Sequence, residues 1–302
     1  MTIPSRMTQR LMVERSLASL QGGLARLART QEQLHTGRII NRPSDSPTGT
    51  NTAMRLRAET AAQTQYTRNA QDGLGWLGQL DSTITSMLDR VNKVRDLALQ
   101  GASTGSTSQQ AREALASEAE QIRSDLLARA NSQHLGRPIF GGTTAGKQAY
   151  DPATGGYLGE PVAGPGTTVQ RSVADGVSVR VDMTGPEVFG NGPDALFAVI
   201  DDVVRHLRTD PAALSGDLDR LDTALQGMRT AVADVGTRYA RLEQATQTAK
   251  DTTLELQASL SEVENVDLAK AMMDLQMQEV AYQGALATTA RVLQPSLIDF
   301  LR

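Results

Sequence analysis

Residues 214–263 read LSGDLDRLDTALQGMRTAVADVGTRYARLEQATQTAKDTTLELQASLSEV, and this stretch decides the fold class. Leu214, Leu218, Leu221, Leu225, Met228, Val232, Val235, Tyr239, Leu242, Thr246, Ala249, Thr253, Leu256, Leu260 and Val263 follow one another by strictly alternating steps of four and three. Such a repeat keeps one narrow stripe on the same side of an α-helix and demands a partner along its whole length. No proline interrupts the run. At 1.5 Å per residue it predicts one helix of ~75 Å.

Toward the C-terminus the phase slips by one residue at 264–267 (ENVD). A second stripe follows, through Leu268, Met272, Leu275, Tyr282, Leu286 and Leu293. Toward the N-terminus, Asp210-Pro211 restarts the helix, proline being suited to a first helical turn. A shorter helix is expected from about Pro193 to Leu207.

Gly and Pro crowd between Gly136 and Pro193. Short β-type runs lie there at 137–140, 167–173 and 176–183. In the last, Val177, Val179 and Val181 alternate with Ser178, Arg180 and Asp182, the period-two pattern of a half-buried strand. Neither helical stripe passes through 141–192, which leads to the expectation that this block can be removed without harm to the helices.

The N-terminal third is helical again. A helix over about 49–99 has its clearest stripe at Leu77, Leu80, Ile84, Met87, Val91 and Val94. A loop over 101–108 leads to a third helix ending near Asn131, with Leu115, Ile122 and Leu126 on one face. The first helix, about 8–34, carries Val13, Leu17, Leu20, Leu24, Leu27 and Leu34 on a heptad stripe. Gly37 stops it, and Pro43 and Pro47 keep the next residues non-helical. The first and last helices match in length and are expected to pair. The first is rich in Arg (Arg6, Arg10, Arg15, Arg26, Arg29), while the last carries Asp267, Asp274, Glu279 and Asp299, which favours the pairing modestly.

The expected class is mainly α: a long antiparallel helical bundle or coiled coil formed by both chain ends, with a small central β-rich domain. Three domains are expected. Residues 1–45 plus 265–302 form a terminal helical pair, 46–140 plus 193–264 a helical bundle, and 141–192 a β-rich domain.

Composition narrows the function. The 302 residues include only 3% aromatics and no cysteine, and the formal net charge is −4. Thiolate chemistry, disulfides and cysteine-ligated metals are excluded. No basic face points to nucleic acid, no run reaches the ~20 apolar residues of a membrane span, and the first residues lack the apolar core of a signal peptide.

Two motif matches lack the context that their chemistry needs. Gly101–Gly105 (GASTG) follows a helix, whereas a nucleophile elbow needs a strand before its serine. Residues 141–147 (GGTTAGK) are followed by Gln148, not by the Ser or Thr of a phosphate loop, and no helix starts there. His35, His134 and His206 have no metal-ligand spacing and read as helix-end residues; Trp76 reads as a packing anchor. No catalytic site, metal site or cofactor is expected.

Residues 36–48, TGRIINRPSDSPT, resemble the turn after the first helix in the flagellin-like family of bacterial flagellar axial proteins. The core of the likeness is Asn41, Arg42, Pro43, Ser44 and Asp45, which fits the hook–filament junction members of that family. Residues 136–143 (GRPIFGGT) resemble the family's entry into its outer β domain. Residues 267–269 (DLA), 290–292 (ARV) and 296–302 (SLIDFLR) resemble its final helix. Ser46 departs from a frequent second Asp, and Pro295 interrupts the last helix near its end.

The resemblance implies a structural, non-enzymatic subunit exported unfolded by the flagellar type III pathway, without a cleaved signal peptide, into an extracellular flagellum. Its implied partners are other copies of itself in a ring, the first hook–filament junction protein, flagellin and a flagellar export chaperone; nucleic acid and membrane are not among them. Terminal helices would form the tube's core, the middle bundle its wall and the β block its outer part. On that reading Val13, Leu17, Leu20, Leu24, Leu27, Leu34, Leu268, Met272, Leu275, Tyr282, Leu286 and Leu293 form the assembly interface. A flagellin filament subunit and a cytosolic coiled-coil scaffold remain the alternatives.

Overall fold

A computed structural model of the chain describes residues 4–103, 108–160 and 166–298. Among the described residues, seven α-helices and two small hairpins occur in the order α1 (Pro4–Thr36), α2 (Pro47–Ala102), α3 (Gln109–Ala130), β1 (Gln133–His134), β2 (Arg137–Pro138), β3 (Gln170–Ala174), β4 (Val177–Arg180), α4 (Gly185–Phe189), α5 (Leu196–Thr209), α6 (Leu214–Glu264) and α7 (Leu268–Ile298). The fold is mainly α, and both β-sheets are two-stranded and antiparallel. The phase slip at 264–267 is a physical break: α6 stops at Glu264, and Asp267 caps α7 by accepting from the backbone N–H groups of Ala269 and Lys270 (3.0 and 3.1 Å). α7 continues through Pro295. Of the 101–108 loop, residues 104–107 lie outside the described residues.

The chain divides into two compact units, Ala62–Thr252, and Met1–Ala61 with Thr253–Arg302. α2 and α6 each contribute to both. In the Ala62–Thr252 unit the stripes are closed. Leu77, Leu80, Ile84, Met87, Val91 and Val94 are fully buried, as are Leu214, Leu221, Met228, Val235 and Leu242 on α6. α3 and α5 pack together; α5 buries Leu196, Phe197, Val199, Ile200, Val203, Val204 and Leu207. Glycine permits the closest approaches. A Cβ on Gly101 would meet Leu207 at 2.0 Å, and one on Gly73 would meet Leu242 at 2.8 Å.

The β-rich block belongs to this core. Phe140, Tyr150, Phe189 and Phe197 form an aromatic cluster with ring centroids 5.0–5.9 Å apart, joining the block to α5. β3 is fastened to α2 by Arg171–Asp72 (2.7 Å) and by Asn69, whose amide donates to the Ser172 carbonyl (2.8 Å). This packing runs against the expectation that the block can be removed harmlessly, since its excision would uncover Phe197 and its neighbours. Asp182 also departs from the alternation that placed it outward. It is buried, with Oδ1 accepting from Arg180 Nε at 2.8 Å. The strand ends at Arg180, before the alternation does.

Other singled-out residues find packing roles. Trp76 is buried and meets His134 edge-on at 5.2 Å. His206 Nδ1 lies 2.5 Å from Oδ2 of buried Asp217, at the corner where α5 gives way to α6. His35 sits exposed in the last turn of α1. After residues 141–147 no helix begins; the N–H groups of Ala149 and Tyr150 both donate to Asn131 Oδ1 (2.8 Å each).

Three outcomes follow. Replacing 141–192 with a short linker should lower the thermal midpoint and blunt its cooperativity, as read by circular dichroism. Leu135 sits at φ 51° in the β1–β2 turn and is exposed. Left-handed backbone strains a Leu more than an Asn, so Leu135→Asn should raise stability by about 0.5–1 kcal/mol in urea melts. The third concerns Glu187, which accepts two 2.8 Å bonds from Arg180 and bonds from the N–H and hydroxyl of Thr184. Burial pushes its pKa up, but these bonds outweigh burial and hold it below the ordinary value. Its contribution is present above the unfolded-chain pKa of ~4.3 and is lost as pH falls through the lower folded value. Arg180→Met should flatten that part of the pH–stability curve.

Candidate assembly interface

The unit formed by both chain ends is organised around a turn. Gly37, at φ 70°, ends α1 in the left-handed conformation that favours glycine. Asp45 Oδ2 then accepts from the N–H groups of Asn41 (3.1 Å) and Arg42 (2.8 Å), and the Asp45 N–H donates to the Arg42 carbonyl (2.9 Å). The N–H of Arg42 is the main cause holding the Asp45 carboxyl below its usual range. The Asn41 amide donates to the Arg38 carbonyl (3.2 Å), and Arg42 pairs with Glu32 (3.2 Å). Pro43 and Ser44 occupy the exposed middle of the turn. Ser46 caps α2 by accepting from the Gly49 N–H (3.1 Å). Gly49 is required by proximity, since a Cβ there would meet Ile40 at 2.6 Å.

The break between α6 and α7 is stitched to this turn. The Ile39 N–H donates to the Glu264 carbonyl (2.7 Å), and the Val266 N–H to the Gly37 carbonyl (3.0 Å). Between these bonds the Glu264 side chain is buried at 5% exposure, with Arg57 at 2.7 Å and Arg38 at 4.0 Å. A buried carboxylate needs such partners, because a lone one is costly in a low-dielectric setting. Sequence reasoning did not single out Glu264 or Arg57 as site residues. The phase slip marks the place, but nothing local in the sequence says which distant cation answers the acid.

α1 and α7 pack against each other. They run antiparallel: Thr30 Oγ1 lies 3.2 Å from Gln278 Oε1, and Gly23 faces the Tyr282 ring. The packed edge on α1 runs through Ser16, Leu20, Gly23, Leu27, Thr30 and Leu34, all buried or half-buried. On α7 it runs through Ala271, Leu275, Gln278, Tyr282 and Ala285.

Only part of the expected stripe is thereby brought together: Leu20, Leu27 and Leu34 with Leu275 and Tyr282. The rest stays open. Val13 is exposed, Leu17 and Leu24 are 55% and 53% exposed, Leu268 and Met272 are 55% and 57% exposed, and Leu286 is 44% exposed. The side chain of Leu293 lies outside the described residues. Among the described residues no ion pair joins α1 to α7; the side chains of Arg6, Arg10 and Asp299 lie outside the described residues. Arg42, Arg38 and Arg57 spend their pairing on the turn and on Glu264.

This arrangement offers packing rather than chemistry: a rigid turn, a stitched helix break and a helix pair with apolar surface to spare. Comparison with known proteins agrees with that reading. The bacterial flagellin N-terminal helical region matches residues 9–144, and the C-terminal helical region matches residues 218–301. Flagellar hook-associated protein 3 of Salmonella typhimurium is 24% identical, over 98% of this chain and 100% of that protein. The flagellar filament 33 kDa core protein of Treponema phagedenis is also 24% identical, over 91% and 92% of the two chains. The crystal structure of Bacillus cereus FlgL shares the fold with a TM-score of 0.59 and 20% identity, covering 68% of this chain and 99% of that one. With both terminal helical regions matched over most of the chain, this protein belongs to the bacterial flagellin family.

Proposed function

We propose that the chain is a structural subunit of the bacterial flagellum at the hook–filament junction. The observation that carries this is the α1–α7 pair, which leaves half of each apolar stripe open. Apolar surface aligned on two helices is expensive to expose, at about 25 cal/mol per Å²; in an assembly it becomes the adhesive. The likeness to hook-associated protein 3 over nearly the full length of both chains supports the junction over other places in the flagellum.

On this reading the subunit travels unfolded through the flagellar type III pathway, attended by an export chaperone, and folds outside the cell. It assembles as a ring of copies between the first junction protein and flagellin. Residues 1–45 plus 265–302 make the tube's core, 46–140 plus 193–264 its wall, and 141–192 its outer part. The interface comprises Val13, Leu17, Leu20, Leu24, Leu27 and Leu34 with Leu268, Met272, Leu275, Tyr282, Leu286 and Leu293. The turn at Asn41, Arg42, Pro43, Ser44 and Asp45 sets its base. The subunit catalyses nothing and takes no cofactor.

A second reading, a filament subunit, is favoured by the likeness to the Treponema filament core protein. Seeding separates the two: a filament subunit elongates seeds into long filaments, and a junction subunit does not.

Substitutions test the interface. Leu286→Asp or Leu24→Asp should change the free chain's stability by less than ~0.5 kcal/mol, both sites being exposed, yet abolish junction assembly and motility. Leu225→Asp, at a buried α6 position, should cost the free chain at least the ~2–5 kcal/mol of a large core truncation. Melting curves beside swimming assays read both. Equal destabilisation by Leu286→Asp and Leu225→Asp would sink the division between folding and assembly residues.

A further inference from the structure

Asparagine is a thermolabile side chain. When the backbone nitrogen that follows it is free, that nitrogen can attack the asparagine's own side-chain carbonyl. The sequence holds seven asparagines, and the fold withholds that nitrogen at six of them. Asn51, Asn69 and Asn92 lie inside α2, where the next N–H belongs to the helix's own ladder. After Asn41, the Arg42 N–H donates to Asp45 Oδ2 (2.8 Å). After Asn131, the Ser132 N–H donates to the Arg129 carbonyl (3.0 Å), and after Asn265 the Val266 N–H donates to the Gly37 carbonyl (3.0 Å). The Asn131 side chain is itself engaged, its amide donating to the Tyr150 carbonyl (2.8 Å) and its oxygen accepting from the N–H groups of Ala149 and Tyr150.

Asn191 differs in each respect. It is exposed and extended, at φ −127° and ψ 153°, immediately before a single 3-10 turn over Gly192–Asp194. The first N–H groups of a helical turn have no partner within it, and the Gly192 N–H finds none elsewhere among the described residues. The Asn191 side chain caps nothing. Gly190 and Gly192 flank it at φ 79° and 66°, and glycine on both sides leaves the backbone freer to turn at residue 191. The space around Gly192 is open as well: a Cβ there would meet nothing within 4 Å.

We propose that Asn191 is a site of spontaneous deamidation in the folded chain. The Gly192 nitrogen bonds to Asn191 Cγ as the Cγ–Nδ2 bond breaks. The proton of Gly192 leaves with the side-chain nitrogen as ammonia, and a five-membered succinimide ring remains. Water then adds across one of the ring's two C–N bonds. Opening at Cγ gives aspartate; opening at the backbone carbonyl gives isoaspartate, whose main chain runs through Cβ and Cγ. Nothing is oxidised or reduced, and water is the sole co-reactant. Both products add a negative charge, and isoaspartate also lengthens the main chain by one carbon. That carbon enters two residues before a fixed point. Arg220 holds the Pro193 carbonyl and the Asp194 carboxylate (3.1 Å), and the same guanidinium holds Asp202 on α5 (2.7 Å) and buried Asp217 on α6 (3.4 Å). Isoaspartate therefore pulls on the ties of the α5–α6 corner, and residue 191 acts as a slow, one-way timer on the stability of the fold.

The test keeps the full chain warm in mildly alkaline buffer and digests samples with trypsin over time. The tryptic fragment 181–205 contains Asn191 as its sole asparagine. It should gain one mass unit, with isoaspartate identified by labelling with an isoaspartyl methyltransferase, several-fold faster than any fragment carrying another asparagine. A parallel sample in urea separates fold from sequence. There Asn131 and Asn265 should convert faster, their following N–H groups being released, while Asn191 changes least. Asn191→Gln, whose longer side chain closes the ring far more slowly, should keep its melting temperature on storage while that of the parent falls. Conversion at Asn191 no faster than at Asn131, or a large acceleration of Asn191 in urea, would overturn the site. A converted chain that melts together with the fresh one would overturn its tie to Arg220.

Discussion

A long helix with one apolar stripe cannot bury that stripe by itself, and everything in this protein depends on where each stripe finds a partner. In the Ala62–Thr252 unit the account is closed. α2, α3, α5 and α6 meet stripe to stripe, and the aromatic cluster of Phe140, Tyr150, Phe189 and Phe197 fills the space that helices alone would leave. On α6 most of the four-and-three repeat is buried as far as Ala249, with Leu218 and Val232 half-buried and Tyr239 exposed, whereas from Thr253 to Val263 every member is only half-buried. The repeat does not change there; its surroundings do.

The terminal unit meets the constraint only in part. α1 and α7 touch through an edge rich in small and polar residues, among them Ser16, Gly23, Thr30, Ala271, Gln278 and Ala285. Val13, Leu17, Leu24, Leu268, Met272 and Leu286 stand beside that edge. A pair built for self-sufficiency would turn each helix by most of a right angle and bury them. The chain as folded forgoes that burial, and those side chains stay exposed.

What holds this open pair in a defined place is the stitch between the turn and the helix break. Two backbone hydrogen bonds tie Gly37 and Ile39 to Glu264 and Val266, and the buried Glu264 carboxylate draws in Arg57 and Arg38. α1 ends and α7 begins at the same level, so the pair enters and leaves through one joint. The Asp45 carboxylate, gathering the N–H groups of Asn41 and Arg42, keeps the turn in one shape.

The sequence by itself determined the mainly helical class, the long α6, the break at 264–267, the stripe of α2 and the turn at Asn41–Asp45. These depend on interactions within a few residues: periodicity, proline and glycine placement, and carboxylate-to-backbone bonding. Tertiary structure alone decided which side of each terminal stripe is covered, because a heptad shows that a partner is needed but not the angle at which it sits. It also decided that Glu264 is answered by Arg57, 207 positions away in the chain, that Asp182 turns inward to Arg180, and that the β-rich block shares the helices' core. Each of these depends on groups that are remote in sequence and meet only when the chain has folded, so no local pattern carries them.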